Sequence, residues 1–222
     1  MESTSLRLPG MVVDLLNFNQ DFLLLRSESD RLAALGPLLL ERHFDFVSEV
    51  IVTEQEICLK LRRSVGPVEM GLLQQLDPQS QTAGKIHEWP VHFNDSKDWI
   101  NLEKHTQLSR EAFIEQLLSV EFRVAMYGFL PGFLYLRGLP PSLQVPRKTT
   151  PATRVQAGSL AIGGPYLGVY SIDSPGGWQV FGETLPLFDP QRLPPVALNP
   201  GDRVRLRRVD SEAFIKLLHA HA

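Results

Sequence analysis

The sequence predicts a chain in two parts, a small α+β domain followed by a larger domain that is mainly β. Strand and helix patterns alternate over the first 93 residues, whereas short strands separated by turns recur from residue 120 onward. Eleven of the 16 glycines and twelve of the 17 prolines lie between residues 128 and 202. Because glycine and proline mark turns, this third of the chain is predicted to be turn-rich β structure, typical of a barrel or sandwich.

The first part shows the order β-α-β-β-α-β of a ferredoxin-like domain. Its strands are short apolar or alternating runs, and its helices place apolar residues on one face. The predicted elements are strand 21–26, helix 29–42, a hairpin of strands 46–53 and 57–62, helix 68–76 and strand 86–93. The polar run DPQSQTAG at residues 77–84 is predicted to be a linker, which sets the two domains at 1–84 and 85–222.

The second part begins with two predicted helices and continues as strands between turn signals. Ser109 is the candidate N-cap of the second helix. The predicted elements are helices 102–106 and 110–118, strands 120–129, 159–162, 168–172, 178–181 and 203–209, and a last helix at 211–219. We expect the helices to pack against the sheet.

The formal net charge is -3, and the charge is divided between the two parts of the chain. Residues 1–119 carry 11 Lys+Arg against 18 Asp+Glu, whereas residues 120–222 carry 11 against 7. The acidic overall balance argues against a basic nucleic-acid binder. The basic later half favours an anionic ligand, unless its charges are ordinary solvated surface.

Several common classes of protein find no support in the sequence. Cys58 is the only cysteine, so a disulfide scaffold is excluded, and the six histidines show no zinc-ligand spacing, so no metal site is predicted. No Walker loop surrounds Lys85 and no G-x-S-x-G motif surrounds Ser159. Because no run of about 18 apolar residues occurs, we predict a cytoplasmic protein that binds no membrane.

Three dense segments of the second part are candidate ligand-binding loops. YGFLPGFLYLRG at residues 127–138 turns sharply while presenting large side chains, so it is either the wall of a pocket or a packed barrel corner. Arg147, Lys148 and Arg154 place three cations within eight residues, as anion ligands or as exposed solubilising charges. Trp178 and Gln179 follow the turn SPGG and offer a ring and an amide, unless Trp178 is a plain core residue.

The motifs of the second part, taken in order, are similar to those of one known family. YGFLPGFLYLRGLP, VPRKTTPATRVQAGSLAIGGPYLGVYSIDSPGGWQVFGET, LFDP and NPGDRVRL resemble the allophanate hydrolase subunit 1 family, over residues 120–206. That family includes the B-type subunit of 5-oxoprolinase and the sporulation kinase inhibitor. The resemblance implies a cyclophilin-like β-barrel for the second domain, and it does not imply peptidyl-prolyl isomerase activity.

The function that the resemblance implies is that of the B-type subunit of an ATP-dependent 5-oxoprolinase, a hydrolase that opens 5-oxo-L-proline to L-glutamate. It implies ATP, bound by this chain or with a partner, and two partners, a subunit 2-type protein (the C-type subunit) and a LamB/YcsF-like protein (the A-type subunit). Arg147 and Arg154 stand at family-like positions and are the candidates to bind carboxylate or phosphate. Ser159 is a candidate hydrogen-bond donor, and the residues expected to shape the pocket are Tyr135, Trp178 and Gln179. No catalytic residue is assigned.

Three positions depart from the family pattern and favour a second interpretation. Leu117, Ala152 and Glu183 stand where the family has a histidine, an arginine and a basic or polar residue. Fewer polar groups in one pocket favour a non-catalytic regulatory module, such as an inhibitor that binds a histidine kinase. A carboxylase or allophanate-type amide hydrolase component is a third interpretation, and it rests on the family name.

Overall fold

Two compact units, Met1–Ala83 and Gly84–Ala222, make up the chain in the computed structural model. The structure describes residues 3–29, 32–78 and 84–221. Of the predicted linker at 77–84, residues 79–83 lie outside the described residues.

The first unit is a five-stranded antiparallel sheet with two helices. Its strands are β1 (Ser3–Leu8), β2 (Met11–Asn17), β3 (Phe22–Arg26), β4 (Val47–Val52) and β5 (Glu56–Leu61), and its helices are α1 (Leu32–Arg42) and α2 (Pro67–Gln74). The order in the sheet is β1-β2-β3-β5-β4. Along β2, Val13 and Leu15 are buried while Val12 and Asp14 are exposed, as strand alternation requires. The buried face packs against leucines of α1 to form the core of this unit.

The ferredoxin-like order is not confirmed for the first unit, whose order is β-β-β-α-β-β-α. The hairpin of β1 and β2 precedes the first predicted strand, and the strand Ile86–His92 joins the sheet of the second unit. The hairpin turns at Pro9 and Gly10, and Gly10 has a φ of 73°, a value that favours glycine. Alternation identifies Ile86–His92 as a strand, but alternation does not show which sheet a strand joins.

The second unit contains a closed barrel of seven strands, so the predicted barrel is confirmed. The strands of this unit are β6 (Ile86–His92), β7 (Glu121–Tyr127), β8 (Leu134–Arg137), β9 (Ala152–Val155), β10 (Ser159–Gly163), β11 (Tyr166–Val169), β12 (Ser174–Gly176), β13 (Gln179–Thr184) and β14 (Arg203–Arg208). The order around the barrel is β10-β11-β8-β7-β14-β6-β13, and β9 pairs with β12 in a separate two-stranded sheet. The closer likeness to cyclophilin stays a prediction.

Three helices pack on the barrel. They are α3 (Trp99–Thr106), α4 (Arg110–Leu118) and α5 (Ser211–His221), which contact β13, β14 and β6 respectively. The predicted helix 110–118 and its cap are confirmed, because the Ser109 side chain accepts a hydrogen bond from the backbone N–H of Ala112 at 3.3 Å. Trp99 and Phe113 join the strand side chains of the main core. Among the described residues, no helix has the length and apolar character needed to cross a membrane.

A buried carboxylate ties together two neighbouring barrel strands, β6 and β14, which run parallel. Asp202 is 4% exposed and directly precedes β14. Its carboxylate accepts hydrogen bonds from the backbone N–H groups of Lys85 at 2.8 Å and Asn199 at 2.9 Å. It also lies 3.1 Å from Nε2 of His87 in β6. Because a buried carboxylate is tolerated only when its oxygens are satisfied, these contacts hold the starts of both strands in register.

Candidate functional site

The side chains of Tyr135 and Trp178 lie on the outer face of the barrel. In β8, Leu134 and Leu136 belong to the main core, whereas Tyr135 packs in a second cluster, because successive side chains of a strand point to opposite faces. We call this second cluster the outer aromatic cluster; its rings are Phe133, Tyr135, Tyr170 and Trp178. The ring of Trp178 meets those of Phe133 and Tyr135 edge to face, with both centroid distances at 5.4 Å.

Two glycines make room for the indole ring of Trp178 on the barrel surface. A Cβ atom at Gly163 would lie 2.5 Å from Cδ2 of that ring, and a Cβ at Gly168 would lie 2.7 Å from its Cζ3. The indole therefore lies directly against the backbone of β10 and β11. Trp178 is only 5% exposed, so the outer aromatic cluster is packed as tightly as a core.

Arg147 lies over the indole ring of Trp178, with its Cζ 5.6 Å from the ring centroid. The indole is thus enclosed between the glycine backbone on one side and the guanidinium on the other. An arginine held on an aromatic face loses less freedom when it binds an anion, and it keeps its planar set of donors. Trp178 therefore supports Arg147 in this structure and does not present an open stacking surface.

The main chain on both sides of Arg147 is anchored by hydrogen bonds. The carbonyl of Pro146 accepts a hydrogen bond from Nε2 of Gln179 at 3.1 Å, and the backbone N–H of Lys148 donates to the carbonyl of Gly177 at 2.6 Å. Gln179 is 2% exposed, so its amide serves the protein interior. Arg147 is consequently presented from a rigid segment, as a binding residue should be.

A partly buried ion pair, which the sequence did not reveal, holds the residue next to Arg147. Nζ of Lys148 lies 2.5 Å from Oδ2 of Asp98, and each side chain is 15% exposed. The same carboxylate oxygen accepts a hydrogen bond from the backbone N–H of Val180 at 2.8 Å. Asp98 directly precedes α3, so this contact joins that helix to the segment that carries Arg147. Nothing local in the sequence connects two residues fifty positions apart.

Arg147 differs from other arginines of the second unit because, within the described residues, no carboxylate lies at ion-pair distance from it. Arg110, by contrast, pairs with Asp95 at 2.8 Å, and Arg154 pairs with Asp173 at 2.6 Å. An arginine that is already paired with a carboxylate of the protein binds a further anion only weakly. The guanidinium of Arg147 is therefore the cation of this cluster that is available to an anion.

The phenol groups beside Arg147 stay neutral near neutral pH. Burial raises the pKa of Tyr135, although the positive charge of Arg147 acts in the opposite direction. Burial also raises the pKa of Tyr170, whose oxygen accepts a hydrogen bond from the backbone N–H of Trp178 that opposes the rise. Neutral phenols do not cancel the charge of the guanidinium. Within the part of the chain that the structure describes, the phenols of the outer aromatic cluster thus leave the positive charge of Arg147 uncompensated.

Of the six site residues predicted from the sequence, the structure brings four together, places Ser159 next to a residue of their cluster and leaves Arg154 apart. Arg147, Tyr135, Trp178 and Gln179 meet at the outer aromatic cluster. The side chain of Arg154 is 72% exposed and pairs with Asp173. Ser159 is buried at the start of β10, and its backbone carbonyl accepts a hydrogen bond at 3.0 Å from the backbone N–H of Tyr170, which belongs to the outer aromatic cluster. The ligand-binding roles of all six residues stay predictions.

We expect Gly163→Ala to lower the free energy of unfolding of the second unit by about 1–3 kcal/mol, because the new methyl group would displace the indole of Trp178. Urea denaturation followed by far-ultraviolet circular dichroism measures the change. Gly177→Ala is the matched control in the same unit, since a Cβ atom there would lie 3.7 Å or more from its neighbours, an ordinary contact distance. Unchanged stability of Gly163→Ala would show that the indole does not lie against this backbone.

Comparisons with known proteins agree with this architecture. A family model described as "Carboxyltransferase domain, subdomain C and D" matches residues 15–198. The chain is 44% identical over 133 residues to the B-type subunit of 5-oxoprolinase from Escherichia coli O157:H7, a match that covers 59% of this chain and 59% of that protein. The matched segment thus spans less than two thirds of that curated relative.

Two solved structures show a similar fold. TTHA0988 superposes with a TM-score of 0.74 at 31% identity, covering 85% of this chain and 40% of that chain. The urea amidolyase of K. lactis superposes with a TM-score of 0.70 at 17% identity, covering 95% of this chain and 16% of that chain. The family model and the match to the B-type subunit of 5-oxoprolinase confirm the resemblance predicted from the motifs of residues 120–206. The chain belongs to the family of carboxyltransferase domains, subdomains C and D.

Proposed function

We propose that this chain is the B-type subunit of an ATP-dependent 5-oxoprolinase, which opens the lactam ring of 5-oxo-L-proline to give L-glutamate. The name of the Escherichia coli O157:H7 relative, at 44% identity, supports this function. In the proposed enzyme the chain acts with a subunit 2-type partner, the C-type subunit, and with a LamB/YcsF-like partner, the A-type subunit. Its activity as part of this hydrolase depends on the assembled complex.

The observation that carries the proposal is the anchored, uncompensated guanidinium of Arg147. 5-Oxo-L-proline has one carboxylate, and that carboxylate is attached to the ring carbon next to the lactam nitrogen. A planar guanidinium binds a carboxylate through two parallel hydrogen bonds, which fixes both the position and the orientation of the ligand. In this proposal Arg147 holds the carboxylate and thereby places the lactam bond a few ångströms away, beside the outer aromatic cluster.

ATP enters the proposed reaction as a co-substrate that activates a stable amide. The cluster offers Arg147 as a free cation, since Lys148 is engaged by Asp98 and Arg154 by Asp173. One guanidinium suffices for a carboxylate, whereas a triphosphate requires several positive groups. We therefore propose that this chain binds the lactam, and that most contacts to the phosphates come from a partner protein.

The test is the assay of L-glutamate release from 5-oxo-L-proline by the chain coexpressed with its subunit 2-type and LamB/YcsF-like partners. We expect release that requires ATP and all three proteins. Complexes lacking one of the proteins, and the full complex without ATP, are the controls. A fully assembled complex that releases no glutamate would refute the proposal. Hydrolysis of allophanate to ammonia and carbon dioxide by that complex would favour an allophanate-type amide hydrolase component instead.

A further inference from the structure

Phe129 is a large aromatic residue that the barrel exposes instead of burying. It lies in the loop between β7 and β8, and it is 62% exposed. Phe133, later in the same loop, is buried in the outer aromatic cluster. The ring of Phe129 meets that of Phe133 edge to face, with the centroids 5.5 Å apart, and that of Tyr170 at 6.4 Å. Phe129 therefore stands at the edge of this cluster, with most of its surface open to solvent.

The backbone at Phe129 adopts a conformation that is unfavourable for phenylalanine. Its φ is 66°, in the left-handed region, where glycine and asparagine are the usual residues. The backbone N–H of Leu130 donates a hydrogen bond to the carbonyl of Gly128 at 2.8 Å, which closes a three-residue γ-turn around Phe129. A γ-turn whose central residue has a positive φ is the rare and strained form. Strained backbone of this kind is concentrated at sites that bind ligands.

Contacts of the neighbouring residues hold the turn in this conformation. The hydroxyl of Ser171, a buried residue, donates a hydrogen bond to the carbonyl of Pro131 at 2.6 Å. A Cβ atom at Gly132 would lie 2.5 Å from the ring of Phe188, so the loop packs closely against that ring. The loop is anchored on the barrel by these contacts. The exposed ring of Phe129 is consequently presented from a fixed position.

The outer aromatic cluster connects Phe129 with Arg147. The ring of Tyr170 contacts Phe129, and its phenol oxygen accepts a hydrogen bond from the backbone N–H of Trp178, whose indole carries the guanidinium of Arg147. The positive charge of Arg147 acts on the same phenol, where it opposes the rise in the pKa of Tyr170. Tyr170 itself is buried. Above it, the surface combines an available cation with an exposed apolar ring, which suits a small carboxylate that has an apolar side.

We propose that the ring of Phe129 packs against the methylene groups of bound 5-oxo-L-proline while Arg147 holds the carboxylate. The inference rests on the proposed function, which supplies the ligand. The lactam ring has a polar side, formed by its nitrogen and carbonyl, and an apolar side, formed by two methylene groups. Contact with the apolar side turns the amide away from Phe129 and leaves it open to the reaction. Phe129 is thereby a specificity-determining residue, which favours the lactam over carboxylates that lack the ring.

The experiment measures KM for 5-oxo-L-proline in the assembled complex that carries Phe129→Asn. Asparagine accepts the left-handed conformation and removes the apolar ring. We expect KM to rise about tenfold, the effect of leaving two methylene groups in water, while kcat changes by less than about twofold. Phe129→Tyr keeps the ring and should keep KM within about twofold of the wild-type value. Urea denaturation checks that both variants fold.

Gln107→Asn is the matched control, because Gln107 is also exposed with a left-handed φ, of 57°, and lies at the end of α3 in the same unit. We expect this variant to leave KM unchanged. A rise in KM as large as that of Phe129→Asn would overturn the inference, since the effect would then not come from the ring.

Saturation-transfer nuclear magnetic resonance supplies a readout that does not require turnover. When the aromatic protons of the complex are irradiated, we expect the methylene protons of 5-oxo-L-proline to receive more saturation than its α-proton, and Phe129→Asn to remove this difference. A wild-type complex that shows this transfer and releases no glutamate supports the contact and refutes the function. A Phe129→Asn complex that releases glutamate with unchanged KM overturns the inference and leaves the function intact. A wild-type complex without transfer to the methylene protons also overturns the inference.

Discussion

Arg147→Gln is expected to lower kcat/KM for 5-oxo-L-proline in the assembled enzyme by about 100-fold or more. The glutamine side chain keeps much of the length and loses both the charge and the paired donors, so the carboxylate of the substrate is left without its partner. Arg147 forms no ion pair within the described residues, so the second unit should lose only the contact of its guanidinium with the indole of Trp178, about 0.5–1 kcal/mol of stability. Steady-state kinetics with varied 5-oxo-L-proline, together with urea denaturation, measure the two effects.

Two further variants make this prediction specific to Arg147. Arg147→Lys keeps the charge and loses the planar fork, so we expect a loss of about tenfold, intermediate between wild type and glutamine. Arg154→Gln is the matched control, since that arginine is 72% exposed and already paired with Asp173. If Arg154→Gln impairs the enzyme as much as Arg147→Gln does, the carboxylate site lies elsewhere on the barrel. The KM for ATP should not change in any of the three variants.

Asp98→Ala is expected to lower the free energy of unfolding of the second unit by about 3 kcal/mol, because it leaves the ammonium group of Lys148 without its partner in a partly buried position. The backbone N–H of Val180 also loses its acceptor. Urea denaturation measures this change. Since the ion pair anchors the residue next to Arg147, binding of 5-oxo-L-proline should weaken as well.

A double-mutant cycle isolates the ion pair from the other effects of the substitution. Lys148→Met keeps most of the apolar stem, and the double variant Asp98→Ala/Lys148→Met leaves no unpaired charge. We expect the double variant to be more stable than the sum of the single losses predicts, by about 1–3 kcal/mol. Strict additivity of the two losses would mean that Asp98 and Lys148 do not interact in solution.

Local signals predicted the helices and most barrel strands, and failed where distant chain segments meet. The helix 110–118 was predictable because Ser109 supplies its cap and apolar residues recur at helical spacing. The strand at Ile86–His92 was predictable as a strand, but its neighbours in the barrel are β13 and β14, far along the chain. Long-range pairing of this kind leaves no mark within a short window of sequence. The hairpin of β1 and β2 is different, since its alternation and its Pro9-Gly10 turn are visible in the sequence.

For the candidate site as well, local composition predicted which residues are unusual, whereas contacts between residues distant in the sequence could not be predicted. Dense aromatic and glycine-rich segments identified Trp178 and Tyr135 as unusual, and the structure brings them together at 5.4 Å. Sequence alone could not distinguish Arg147 from Arg154, because the difference is the position of Asp173, which belongs to another turn. It could not identify the partner of Lys148 for the same reason.

The position of β6 in the barrel has a consequence for synthesis of the chain on the ribosome. Both neighbours of β6, namely β13 and β14, are translated about a hundred residues later, which corresponds to roughly 5–20 s at ordinary elongation rates. During that time the strand has two unpaired edges, which are liable to pair with other chains. Its sequence, IHEWPVH, contains Glu88 and Pro90, and charge and proline both discourage such pairing. The nascent strand thus carries its own protection against aggregation until the rest of the barrel exists.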